Sequence, residues 1–121
     1  MDTASLSRLT TTALRVSSWI ETASAGKVTP IRISADQYDG PSMHLHGDAD
    51  AFVAAIGVIV NHEASDSLGW VASDGSGSDG WYCVHCEISI EGVRVRYSAG
   101  SMTAPAWLLA RCPRPAEQVA A

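Results

Sequence analysis

Two alternating runs flank the dipeptide Glu91-Gly92, and together they leave this stretch of chain few ways to fold. Upstream stand Trp81-Tyr82-Cys83-Val84-His85-Cys86-Glu87-Ile88-Ser89-Ile90, and downstream Val93-Arg94-Val95-Arg96-Tyr97. A two-residue turn between such runs reads as a C-terminal β-hairpin over 80–99. This register pairs Ile90 with Val93, Ile88 with Val95 and Cys86 with Tyr97 on one apolar face. The other face sets Ser89 against Arg94 and Glu87 against Arg96, a pairing of opposite charges. Trp81, Cys83 and His85 share that polar face, because strand side chains alternate with a period of two.

The remaining elements follow from periodicity. Leu6, Leu9, Ala13, Val16 and Ile20 recur every three or four residues and predict an amphipathic helix over 4–24, closed by Gly26. Ile31 and Ile33 mark a strand over 27–34, where Pro30 favours an edge position or the strand's start. Asp39-Gly40-Pro41 is a turn, and 42–46 a short strand ending at Gly47. Asp48 is a good N-cap for a second helix running to about His62. Apolar residues cover most of that helix, which predicts burial on more than one side, against the first helix or a second subunit. Leu68 to Val71 reads as a further strand, 73–80 as a loop, and 104–111 as a short helix stopped by Pro113 and Pro115. At 121 residues the chain is expected to form one domain over 1–121, with 1–4 and 113–121 as frayed tails. The fold class is α+β: a mainly antiparallel sheet of about five strands with helices packed on one face. A crossover from 42–46 through the helix to 68–73 is compatible with either direction for its last strand.

Composition narrows the function classes. A formal charge of −5 argues against a nucleic-acid partner, which needs a basic surface. Three cysteines do not make a secreted disulfide framework, and no apolar run is long enough to span a bilayer. The expected location is therefore cytoplasmic.

The chemistry-bearing residues are few. His44 and His46 point to one side of a strand, where neutral imidazoles suit zinc or iron. Cys83 and His85 complete a four-residue metal site if the two strands are neighbours. Cys83 and Cys86 point to opposite faces of a continuous strand, so Cys86 is expected in the core as a small hydrophobe. The segment Gly75-Ser76-Gly77-Ser78-Asp79 matches neither a phosphate loop nor a nucleophile elbow, and no catalytic residue is assigned.

The pair His44-Leu45-His46, with Asp48 beyond it, resembles motifs of metallo-β-lactamase-type hydrolases, cupins and amidohydrolases, whose further ligands have no counterpart here. It also resembles the histidine pair of HUH endonucleases, which implies a divalent cation and a helix-borne tyrosine that nicks DNA. The tyrosines here are Tyr38 in a turn and Tyr82 and Tyr97 in the hairpin. Aromatic and arginine side chains together make an interaction surface. Trp81, His85, Arg94 and Arg96 supply one, with Trp70 and Trp107 as its extension. The expected function is a small non-catalytic interaction or assembly module without a cofactor. Its partner is another protein or itself, as a homodimer through Phe52, Val53, Ile56 and Val58. The alternative is a small metal-binding protein or metal-dependent enzyme.

Overall fold

The computed structural model describes residues 5–60, 68–74 and 82–113. Its elements follow in the order α1 (Leu6–Ala23), β1 (Val28–Asp36), β2 (Gly40–Gly47), α2 (Ala49–Val60), β3 (Val71–Asp74), β4 (Tyr82–Ile90), β5 (Val93–Gly100) and α3 (Ala106–Arg111). The class is α+β. Trp81, the tails 1–4 and 114–121, and most of the 73–80 loop lie outside the described residues.

Local chemistry accounts for the element ends. The Ser5 hydroxyl accepts from Arg8 N–H at 3.1 Å and caps α1. The Asp48 carboxylate accepts from Asp50 N–H at 3.2 Å and opens α2. Glu91 and Gly92 both have positive φ, 52° and 78°, as a two-residue hairpin turn with primed geometry requires. The hairpin register is the expected one, with Ile90, Ile88 and Cys86 opposite Val93, Val95 and Tyr97, and Glu87 opposite Arg96.

The sheet order is β1-β2-β5-β4-β3. Neighbours are antiparallel except β2 and β5, which run parallel with His44 beside Arg96 and Leu45 beside Tyr97. β3 therefore points the same way as β2, yet two strands separate them. The strand reading at 68–71 shifts to Val71–Asp74, while Leu68 packs into the core ahead of it.

One face of the sheet meets the helices. Met43, Leu45, Val84, Cys86, Val95 and Tyr97 from the strands join Val16, Ile20, Phe52, Ile56 and Leu108 from the three described helices in one buried cluster. Phe52 stacks on Tyr97 with ring centroids 4.4 Å apart and planes 13° from parallel. The breadth of apolarity on α2 overstates its burial: Ala49, Phe52, Ala55 and Ile56 are buried, but Val58 is 74% exposed. Both sheet edges are poor templates for another strand. β1 carries Pro30 and a register shift between Pro30 and Arg32 that leaves Ile31 exposed, and β3 has only four residues.

Candidate functional site

The face away from the helices carries the polar residues of β2, β4 and β5 and, beyond its bulge, of β1. In one row across four strands stand Arg32, His44, Arg96 and Glu87. The next row holds Ser34, Ser42, Arg94 and Ser89. Between them a hollow of about 320 Å³ is lined by Arg32, Ser34, Ser42, His44, Arg94 and Arg96, with Glu87 as the single acid of its wall among the described residues. The wall thus carries a net formal charge of +2 on a chain whose total is −5. Here β5, the second strand of the hairpin, slots between β2 and β4 and draws arginines from two distant parts of the sequence together.

Two histidines sit near this hollow. His44 Nε2 and the Ser98 hydroxyl lie 2.6 Å apart as hydrogen-bond partners. Its pKa is held below the ordinary 6.5, first by burial, then by the Arg96 charge and by His46 and His85. His85 is likewise lowered by burial and by Arg96, partly opposed by Glu87, and its Nδ1 is buried without a hydrogen-bond partner. Both imidazoles are thus neutral at pH 7. The unfolded chain takes up protons at about 6.5 where the folded one does not, so stability is fullest above that pH and falls as the pH is lowered through it. We expect the thermal midpoint to decline between pH 6.5 and 5.5. A double His44→Gln/His85→Gln variant should flatten that slope, and a wild-type-like slope in the variant would assign the loss to other groups.

The four residues of the expected metal site do not meet as one. His44 and His46 lie on β2 and Cys83 and His85 on β4, but β5 stands between these strands. Two strand spacings set them about 10 Å apart, and His44 turns to Ser98 on the intervening strand. Among the described residues no group of three or more His, Cys, Asp or Glu is placed to hold a metal ion. Cys86 is 1% exposed, on the face opposite Cys83, and burial pushes its thiol up to about 12, far from a reactive thiolate. The three tyrosines are likewise unlike a helix-borne nucleophile. Tyr38 is 96% exposed in the β1–β2 turn, whereas Tyr82 and Tyr97 are buried strand residues.

Of the expected interaction surface, His85, Arg94 and Arg96 share the open face, and Trp81 lies outside the described residues. Trp70 and Trp107 do not extend it. Both belong to the helix side, where Trp70 meets the Phe52, Tyr97 and Trp107 rings edge-on and Trp107 Nε1–H donates to Asp50 Oδ1 at 2.7 Å. Of the expected self-association residues, Phe52 and Ile56 are fully buried within the chain, Val53 is partly buried against the core, and Val58 is exposed. Val58 borders a second, more apolar hollow of about 610 Å³ with Trp19, Ile59 and Ile90.

Sequence reasoning missed Arg32, Ser34 and Ser42. Their alternation with Ile33 and Met43 was the available signal, but the partner strands of β1 and β2 were not.

Comparison with protein-family models, curated proteins and solved structures returns no match for this chain. No described helix is long and apolar enough to cross a membrane.

Proposed function

We propose that this chain is a small non-catalytic interaction module that engages an acidic protein partner through the uncovered face of its sheet. The observation that carries the reading is the hollow walled by Arg32, Arg94 and Arg96, three guanidinium groups gathered on one face of an acidic chain. Arginine is the side chain best suited to carboxylate and phosphate groups, because its planar fork donates two parallel hydrogen bonds. The other means of assembly are weaker: the central helix spends Phe52 and Ile56 inside its own core, and both sheet edges are blunted. A reducing, cytoplasmic setting fits this reading, since Cys83, Cys86 and Cys112 are all free thiols.

A fluorescent peptide rich in Glu and Asp tests it directly. It should bind with an affinity that falls as salt rises from 50 to 300 mM, because the contact is made by exposed charges. An Arg94→Glu/Arg96→Glu variant should weaken binding at least tenfold while keeping the wild-type circular dichroism spectrum. Equal binding of a Lys-rich peptide, or no effect of the charge reversals, would remove the open face from the interaction.

A further inference from the structure

The wall of the hollow has a composition that selects among anions. Arg32, Arg94 and Arg96 provide three cationic forks, Glu87 returns one negative charge, and Ser34 and Ser42 provide two hydroxyls. The bases of the three arginines form a triangle. Arg94 and Arg96 are two residues apart on β5, about 7 Å along the strand, and Arg32 stands two strands from Arg96, about 10 Å across the sheet. Ser42 and His44 stand on β2, with Arg32 on the strand to one side and Arg94 and Arg96 on the strand to the other, so a group resting over them is approached by guanidinium groups from both flanks.

We propose that the hollow is a binding site for a phosphate monoester dianion, carried on a small molecule or on a phosphorylated side chain. This rests on the open face being the binding face and adds the chemistry of the group bound. Charge and valence make the choice. A phosphate monoester carries between −1.5 and −2 charges at pH 7 and three strong acceptor oxygens. It therefore balances the +2 wall and offers one oxygen to each arginine. A carboxylate carries one charge and two oxygens, so it engages one fork and leaves the others to water. The serine hydroxyls of Ser34 and Ser42 donate further bonds that a phosphate can accept while still bound to arginine. Size adds a limit. About 320 Å³ lies at the lower end of small-molecule sites, room for one phosphorylated group and its attachment. A nucleic-acid strand is disfavoured by the acidic remainder of the chain, which repels a continuous phosphate backbone.

Nuclear magnetic resonance titration of the full chain resolves the matter, using inorganic phosphate, free O-phosphoserine, a phosphoserine peptide, its unphosphorylated form and succinate. Phosphate and O-phosphoserine should shift the amides of Ser42, His44, Arg94 and Arg96. Both should bind at least tenfold more tightly than succinate. Arg32→Gln and Arg96→Gln, each checked for an unchanged fold by its remaining amide pattern, should each reduce the affinity tenfold or more. Tighter binding of the phosphopeptide than of O-phosphoserine marks a phosphorylated protein as the source, and equal binding marks a small phosphorylated molecule; either supports the site. Succinate binding as well as phosphate, or phosphate binding that survives both glutamine variants, overturns it. If the acidic peptide binds through Arg94 and Arg96 while no phosphate compound does, the interaction module stands and the phosphate site falls.

Discussion

Replacing Phe52 with alanine should lower the free energy of unfolding by about 3–5 kcal/mol, the range for a fully buried aromatic ring truncated in a core. Phe52 is 0% exposed and stacks on Tyr97, while the Trp70 ring meets it edge-on at 6.3 Å. These rings tie α2 to β5 and to the segment before β3, so a cavity at Phe52 loosens the contacts that hold the helix on the sheet. A loss of that size is a large part of the roughly 5–15 kcal/mol that a domain has in total. Urea unfolding followed by circular dichroism measures it. Val58→Asp on the same helix is the matched control. Its side chain is 74% exposed, so stability should change by no more than about 0.5 kcal/mol. Val58 is the most exposed large apolar side chain of this helix among the described residues, so self-association through it should use Val58, and sedimentation across a concentration series would show it as a mass that the Asp variant loses. If Phe52→Ala left stability intact and altered only the oligomeric mass, its place inside the single chain would be wrong.

How far the fold could be seen in the sequence depended on how local each contact is. The hairpin was legible residue by residue, because Glu91-Gly92 sets the turn and the flanking alternation sets the register. The start of α2 was legible for a similar reason: Asp48 needs only the N–H two residues on. The partnership of β2 with β5 was not legible. Leu45 pairs with Tyr97 across a long loop of chain, and no local pattern encodes which of several apolar strands will lie beside it. That one unknown decided the functional residues. Had β2 lain beside β4, His44, His46, Cys83 and His85 would have been neighbours; with β5 between them, Arg94 and Arg96 face Arg32 instead. The bulge after Pro30 hid the position of Ile31 as well. A period-two reading gives Ile31 and Ile33 the same environment, but the register shift leaves Ile31 56% exposed and Ile33 packed on the core.

Gly47→Ala should cost about 3 kcal/mol or more, and it connects the fold to the proposed site. Gly47 has φ of +137°, where a side chain is strained by roughly 1–3 kcal/mol on its own account. A Cβ there would also stand 2.2 Å from the Lys27 carbonyl oxygen and 3.0 Å from Val28 Cα, both backbone atoms that cannot swing aside. The same corner is held from two sides, since Asp48 N–H donates to Lys27 O at 3.2 Å and the Tyr97 hydroxyl donates to Gly47 O at 2.6 Å. Relief of the clash therefore means parting β1 from β2 where Val28 faces Gly47. Gly92 provides the comparison: its φ is +78°, but a Cβ there meets nothing within 4 Å, so Gly92→Ala should cost only about 1–2 kcal/mol. Denaturant unfolding of the two variants separates a clash from simple positive-φ strain. The same parting of strands displaces Arg32 from its row beside His44 and Arg96, so Gly47→Ala should also weaken phosphate binding under conditions where the variant is still folded. Gly92→Ala lies only two residues from Arg94, but its added Cβ meets no neighbour and parts no strands, so it should leave that binding unchanged. Equal losses of stability in the two variants would mean that β1 yields freely at this corner, and that Arg32 is not held in place by its pairing with β2.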